Sequence, residues 1–149
     1  MPAYISGAAF FITPFDTVIV REDLLSQDEA RQLSALHHIL AFMTAGKDMS
    51  RLFNEVAPLT SSANVQIKRL SYLYVMQNSQ QHVEKAILQA GTFVKDTLHD
   101  SPFVRGAALR TMTSLEMSVM VDFVNAPLRR GVKDDCSYVR HAAVIGILK

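Results

Sequence analysis

Apolar side chains recur along this chain with the period of an α-helix, and one such pattern occurs more than once. Between residues 100 and 115 the apolar positions share one side of a helix, at i, i+3, i+4, i+8 and i+11: Val104, Ala107, Ala108, Met112 and Leu115. The segment DSPFVRGAALRTM returns 35 residues later (135 − 100) as DCSYVRHAAVIGI. A weaker copy, NVQIKRLSYLYVM, lies 37 residues upstream (104 − 67). Repetition at this period predicts an all-α solenoid of stacked helical hairpins.

A basic residue occupies the same place in each copy: Lys68, Arg105 and Arg140. Stacking of the copies predicts that these side chains form a ladder along one edge of the array. Each is expected near an aspartate of a turn, Asp100 or Asp135. We interpret the ladder as structural, with a phosphate-binding ridge as the alternative.

The other apolar runs predict further helices within a repeat domain that covers residues 26–149. Ser26 and Glu29 form a capping box at the start of the first helix, and Gly46 ends it. Asp48 caps a short helix that ends near Pro58. The remaining helices are expected at about 65–78, 82–98, 101–115, 118–133 and from 137 onward, with a kink at Pro127.

Residues 1–25 do not join the repeat. Two prolines and a glycine, Pro2, Pro14 and Gly7, predict an irregular N-terminal arm with a short extended piece at 17–20. The pair Phe10-Phe11 is expected to pack on the first helix; insertion into a partner is the alternative.

The small residues of the repeat predict where helices come closest, since alanine keeps two backbones near each other. We expect Ala107 and Ala142 at that point. The chain ends within its last predicted helix, without a polar capping repeat, so it is expected to be the N-terminal piece of a longer protein. Its last helix is then expected to expose an apolar strip of Val139, Ala142, Ala143 and Ile147.

The composition excludes several classes of protein. The formal net charge of +1 is divided into −3 for residues 1–55 and +4 for residues 56–149, too mild to indicate nucleic-acid binding. Cys136 is the only cysteine, which excludes an internal disulfide and fits a reducing compartment. No apolar run approaches the roughly 20 residues that span a bilayer.

Motifs for catalysis, cofactors or metals are missing from the sequence: there is no glycine-rich phosphate loop, no cysteine pair and no HExxH. His37 and His38 are adjacent and point to different faces of a helix, so they cannot chelate one ion. Asp134-Asp135 is a turn and cap pair rather than a catalytic dyad, and Cys136 is a structural thiol without a nearby base. We therefore predict no enzyme activity, no cofactor and no metal site.

Several segments resemble one known family. FMTAGKDMSRL (42–52), IKRLSYLYVM (67–76), TFVKD (92–96) and PLRRGVKD (127–134), with the two VR-x-AA helices, resemble the N-terminal trunk of β-adaptins over residues 36–149. These are the large β subunits of the heterotetrameric vesicle-coat adaptor complexes. VRGAALRTMTSLEM and SYVRHAAV are most similar to the β subunit of the fourth adaptor complex, which works without clathrin; the β subunits of the first and second complexes are the alternatives.

The resemblance implies a HEAT/armadillo-type α-solenoid with a right-handed superhelix, in a non-enzymatic coat subunit that sorts cargo. Its implied partners are the second large, the medium and the small adaptor subunits and an Arf-type GTPase. Its implied location is cytoplasmic, peripheral on trans-Golgi or endosomal membranes. The first 30 residues depart from the family, because they lack the basic lead-in by which clathrin-linked members meet acidic lipids.

By the same resemblance, the GTPase contact falls on the predicted outer helix 82–98, at Ile87 and Ala90. Ala90 is smaller than the branched residue that the family uses, and Ile87 packed within its own hairpin is the alternative. The second interpretation of the whole chain is an unrelated HEAT or armadillo-type binding module, such as a transport receptor.

Overall fold

The computed structural model describes residues 15–115, 118 and 120–149, and within these ranges it contains helices and no strand. The α-helices in chain order are α1 Thr17–Leu25, α2 Glu29–Thr44, α3 Phe53–Val56, α4 Val65–Asn78, α5 Val83–Leu88, α6 Ala90–Asp96, α7 Pro102–Ser114, α8 Met120–Gly131 and α9 Ser137–Ile147. Short 3-10 turns at Ser50–Leu52 and Ala57–Ser61 flank α3.

The three copies of the repeat are the helices α4, α7 and α9, which lie side by side. The Cα of Gly106 in α7 lies next to Tyr138 in α9, and Gly146 further along α9 lies next to Thr113 further along α7. Sequence numbers thus rise together along the contact, so α7 and α9 are parallel neighbours, as the repeat predicts. The prediction of an α-solenoid is confirmed.

Two layers follow from the packing of the helices. In the first layer, which we call the repeat layer, α2, α4, α7 and α9 pack in this order. The second layer contains α1 and α3 at one end and α6 and α8 at the other. The apolar side chains between the layers are fully buried, among them Leu36, Ile67, Phe93, Val104 and Ala143.

Glycines, rather than the expected alanines, mark the closest contacts between helices. A Cβ on Gly131 at the end of α8 would lie 2.8 Å from Leu109 Cδ1 and 2.9 Å from the Cβ of Ala143. Ala142 is buried, but Ala107 is only half-buried. The prediction that Ala107 sits at the closest approach is wrong, because its side of α7 faces a surface groove.

The expected irregular arm is wrong for residues 17–25, which form α1. The Asp16 carboxylate accepts a hydrogen bond from the Val18 backbone N–H at 2.8 Å and caps the helix. Val20 and Leu24, one turn apart, are buried, and α1 packs on α2. This burial outweighs the β-propensity of the Thr17–Val20 run. Phe10 and Phe11 lie outside the described residues.

The caps of the first helices differ from the predicted capping box. Asp28 caps α2 by accepting a hydrogen bond from the Ala30 N–H at 2.9 Å, whereas the Ser26 hydroxyl donates to the Asp23 carbonyl at 2.8 Å and ends α1. The predicted end of α2 at Gly46 is confirmed. Gly46 has φ of +79°, a conformation that favours glycine, just after α2.

The predicted helix 82–98 is divided into α5 and α6 at Gln89. The Gln89 side chain accepts a hydrogen bond from the Thr60 hydroxyl at 3.0 Å, and the weak helix former Gly91 follows it closely. The 3-10 turn Ala57–Ser61 runs through Pro58, which fits a first helical turn because proline needs no N–H partner there.

The expected apolar strip on α9 consists of different residues. Val139, Ala142 and Ala143 are buried against α7 and α8, so three of the four predicted residues are wrong. The exposed apolar side chains at this end are Val144, Ile145, Ile147 and Leu148. Ile147 lies beside the contact of Gly146 with Thr113 and Leu128, where it lines a surface pocket.

Candidate partner-binding surfaces and the charged ladder

The first rung of the ladder is a buried ion pair. Lys68 Nζ in α4 lies 2.5 Å from Asp96 Oδ2 at the end of α6, and both side chains are less than a tenth exposed. The Tyr72 hydroxyl donates a hydrogen bond to the same oxygen. Burial, together with this neighbouring carboxylate, raises the pKa of Tyr72 well above its ordinary value, so the phenol stays protonated as a donor. All three polar groups are satisfied within the protein.

The second rung repeats this arrangement nearer the surface. Arg105 in α7 binds the Asp134 carboxylate with two hydrogen bonds of 2.8 Å, from Nε and Nη2. Its Nη1 also donates to the carbonyls of His99 and Asp100, at 2.8 Å each. A planar guanidinium with this many fixed partners holds one turn firmly against the next.

Arg140 begins the third rung but reaches only backbone atoms. Its Nη1 donates to the carbonyls of Asp134 at 2.7 Å and Asp135 at 2.8 Å. The carboxylates that pair with the ladder are therefore Asp96 and Asp134, not the predicted Asp100 and Asp135. The pairing acid follows its basic residue by 28 or 29 residues (96 − 68, 134 − 105), because it lies at the last residue of a second-layer helix (Asp96) or in the turn just after one (Asp134).

These partners support the structural interpretation of the ladder. The hydrogen bond from Arg105 holds the pKa of Asp134 below its ordinary value and raises the pKa of Arg105. A phosphate at this edge would compete with carboxylates that are already bound to two of the three basic residues. The phosphate-binding ridge is thus disfavoured.

Replacing Arg105 with glutamine should lower the free energy of unfolding at pH 7 by about 1–3 kcal/mol, because the Asp134 carboxylate loses a charged partner. The pKa of Asp134 is lower in the folded state. The pair therefore stabilises fully above the unfolded carboxyl pKa of about 3.9, and this contribution disappears as pH falls through the lowered folded value. Urea unfolding at pH 7 and pH 3 measures both effects.

The matched control is Arg129→Gln, at an exposed position of α8. We expect it to change the free energy of unfolding by less than about 0.5 kcal/mol. An Arg105→Gln deficit that stays the same at both pH values would contradict the assignment of the effect to the Asp134 carboxylate.

The two residues of the predicted GTPase contact do not form one surface. Ala90 is only 2% exposed and packs in the core between the layers, so its assignment to a partner surface is wrong. Ile87 is half-buried at the edge of α5. The prediction from the sequence did not include Leu88, which is 78% exposed, or Val83, which is 39% exposed. We call Val83, Ile87 and Leu88 the α5 patch.

In the described ranges, no group of three or more His, Cys, Asp or Glu side chains is placed to hold a metal ion. Cys136 is partly exposed in the turn before α9, and its N–H donates to Asp134 Oδ1 at 2.9 Å. Among the described helices, none has both the length and the apolarity to cross a bilayer.

Comparison with known proteins connects this geometry to one family. The model of the adaptin N-terminal region matches residues 17–149. The β subunit of the AP-1 complex of Dictyostelium discoideum is 38% identical over 130 residues, which are 87% of this chain and 14% of that protein. The AP-1 complex subunit β-1 of Saccharomyces cerevisiae is 37% identical over 130 residues, or 87% of this chain and 18% of that protein.

A β subunit of the fourth complex matches to a similar extent. The mouse AP-4 complex subunit β-1 is 34% identical over 125 residues, 84% of this chain and 17% of that protein. The identities to the first and fourth complexes differ by four percentage points (38 − 34), so assignment to the fourth complex stays a prediction. The chain spans between 14% and 18% of the length of these three relatives.

The family match begins at the first residue of α1 and runs to the last residue of the chain. It thus includes α1, which the sequence pattern assigned to an arm outside the repeat. It also decides against an unrelated helical-repeat module such as a transport receptor. With β subunits of adaptor complexes as its relatives and an α-solenoid as its fold, this chain belongs to the adaptin N-terminal region family.

Proposed function

We propose that this chain is part of a non-enzymatic β-type scaffold subunit of a vesicle-coat adaptor complex. The observation that carries the proposal is the family match over residues 17–149, in a chain whose repeat helices stack as a solenoid. A solenoid offers extended surfaces for other proteins. The proposed partners are the second large, the medium and the small subunits, and the proposed location is peripheral, on the cytoplasmic face of trans-Golgi or endosomal membranes.

Co-expression tests the scaffold role. The chain is expressed with tagged second large, medium and small subunits of one adaptor complex, and the assemblies are separated by size exclusion. We expect co-elution with at least one subunit. The proposal would be contradicted if the chain eluted separately from the subunits of the first, the second and the fourth complex.

We further propose that the α5 patch contacts a GTP-loaded Arf-type GTPase. Leu88 supplies an aliphatic group that is 78% exposed, and Val83 and Ile87, one turn apart, add apolar surface on a neighbouring side of the helix. Apolar anchors at the centre of an interface contribute most of the binding energy. The resemblance to β-adaptins implies a contact on this segment, and the exposure of Leu88 supports the proposal.

Leu88→Asp should weaken binding of the GTP-loaded GTPase by about thirtyfold, since truncating a central apolar anchor costs about 2 kcal/mol. Calorimetric titration with the GTP-loaded and GDP-loaded forms measures it. The melting temperature should not change, because Leu88 is 78% exposed. Ile87→Asp should weaken binding similarly, although its half-buried position makes some loss of stability expected as well.

Leu25→Asp is the matched control, because Leu25 is 68% exposed on α1, away from the patch. Equal binding by the Leu25 and Leu88 variants would show that the GTPase, if it binds, uses another surface. The scaffold role would stand in that case, since co-expression tests it separately.

A further inference from the structure

We propose that Tyr138 is a phosphorylation site for a tyrosine kinase, and that its phosphate, once attached, is held by Arg69 and Arg110. Among the tyrosines of the described residues, Tyr72 and Tyr74 are buried, and their hydroxyls are already hydrogen-bonded within the protein. Tyr138 instead lines a surface groove of about 450 Å³ between α4, α7 and α9. It is therefore the tyrosine that a kinase can reach.

The ring of Tyr138 has a fixed seat on α7. It lies over Gly106, where a Cβ would come 2.7 Å from Tyr138 Cδ1 and 3.2 Å from Cζ, so a larger residue there would displace the ring. Phe103 and Arg110 lie about one turn to either side of Gly106 and border the ring, with the Phe103 centroid at 6.0 Å and the Arg110 guanidinium carbon at 5.6 Å from its centroid. The hydroxyl end of the ring is thus carried across α7 toward the groove.

The groove beside this hydroxyl is positively charged. Arg69 of α4 and Arg110 of α7 line it, both are exposed, and no Asp or Glu is among its lining residues. Neither arginine forms an ion pair with a carboxylate of the described residues, whereas Arg21 and Arg31 each do. A phosphate on tyrosine carries a charge of about −1.5 to −2 and three acceptor oxygens, which complement two guanidinium groups.

The helix packing brings the phosphate within reach of both arginines. Helices α4 and α9 lie on either side of α7 in the repeat layer, so their axes are roughly 16–20 Å apart. The Tyr138 ring covers half of this distance, because it lies over the middle helix. Roughly 8–10 Å then remain to α4, which the phosphate and the long Arg69 side chain cross together. A phosphate held in this way joins α9 to α4 across α7.

The sequence before Tyr138 supplies a charge pattern for recognition by a kinase. Asp134 and Asp135 precede it by four and three positions, and Asp135 is exposed. Kinases use such charge patterns to select their substrates. Tyr138 is the second residue of α9, in the turn whose N–H groups have no partner within the helix, so local opening there breaks few hydrogen bonds.

The reaction is an ordinary phosphoryl transfer. The Tyr138 Oη forms a bond to the γ-phosphorus of ATP, the bond from that phosphorus to the bridging oxygen breaks, and ADP leaves. The phenolic proton passes to the base of the kinase. The site lies on the repeat layer and not on the α5 patch, so it does not depend on the GTPase contact.

The first experiment measures phosphorylation. The full chain is incubated with magnesium, ATP and a panel of purified tyrosine-kinase catalytic domains, and the modified residue is identified by mass spectrometry of its peptides. We expect phosphate on Tyr138 with at least one kinase, and a rate at least threefold lower for Asp135→Asn. No phosphate on Tyr138 with any kinase, or equal rates for the wild-type chain and Asp135→Asn, would overturn the assignment of the site.

The second experiment measures the contact with the arginines. Phosphorus NMR of the phosphorylated chain gives the second pKa of the phosphate, which is about 6 without charged neighbours. Two guanidiniums should lower this pKa to about 5, because they favour the dianion. Combining Arg69→Gln with Arg110→Gln should return the pKa to about 6, whereas Arg129→Gln, on α8, should leave it at about 5. With melting temperatures confirming that the variants fold, the same pKa in the wild-type chain and the double variant would refute the proposed contact.

Discussion

Asp96→Ala should lower the free energy of unfolding by about 3–5 kcal/mol, which is the usual cost of removing one partner from a buried ion pair. Asp96 is 4% exposed, and its carboxylate accepts from both Lys68 and the Tyr72 hydroxyl. Without it, an ammonium group and a phenol are left in the core without an acceptor. Urea unfolding monitored by circular dichroism measures the loss.

A triple variant distinguishes the cost of an unpaired buried charge from the cost of lost side-chain packing. Lys68→Met, Tyr72→Phe and Asp96→Leu together replace the buried polar groups with apolar groups of similar size, which is often neutral or stabilising. We expect the free energy of unfolding of this variant to lie within about 1 kcal/mol of the wild-type value. If Asp96→Ala alone costs less than about 1 kcal/mol, then water reaches Lys68 and the rung is not a buried one.

Gly131→Leu should cost about 3 kcal/mol, at the upper end for overpacking a core. The new Cβ would lie 2.9 Å from the Cβ of Ala143 and 2.8 Å from Leu109 Cδ1. Alanine has no rotamer to adopt, so the backbones of α8 and α9 must separate. Thermal unfolding measures this loss of stability. The cooperativity of unfolding between α7 and α9, the last two repeat helices, should also fall.

The same substitution at Gly91 is the matched control. A Cβ there meets no atom within 4 Å, and Gly91 lies inside α6 with an ordinary negative φ. Gly91→Leu should therefore stabilise the chain by about 0.5–1 kcal/mol, because glycine is the weaker helix former. Similar losses at both positions would contradict a close contact at Gly131.

The repeat helices could be predicted from the sequence because their ends carry local signals. The predicted bounds of α4, 65–78, are those observed, since the Asn64 carboxamide accepts from the N–H groups of Gln66 and Ile67 and caps the helix. The start of α1 carried a similar cap at Asp16, but the β-branched residues that follow it favoured an extended interpretation. Burial of α1 on α2 is a tertiary effect, and no local pattern reports it.

The ladder shows the same limit at the level of single side chains. The repeat correctly placed Lys68, Arg105 and Arg140 in equivalent positions. Which aspartate pairs with each depends on where the chain crosses over from the second layer, and neighbouring turn residues such as Asp134 and Asp135 cannot be told apart by period alone. The prediction of a partner contact at Ala90 was wrong for a related reason. An outer helix of a solenoid buries one of its sides, and the periodicity of the sequence did not reveal that the helix breaks at Gln89 and turns Ala90 into the core.

The two complete rungs also constrain how the chain can change in length. Each bond joins residues 28 or 29 positions apart (96 − 68, 134 − 105), and a second-layer helix lies between them. One residue added to or deleted from that helix rotates everything beyond it by about 100°, so the aspartate would leave its partner. The segment between Asp96 and Arg105 is constrained as well, because Arg105 Nη1 donates to the carbonyls of His99 and Asp100 within it. The exposed positions of the second-layer helices can therefore change in residue type, whereas the number of residues in each of these helices is fixed.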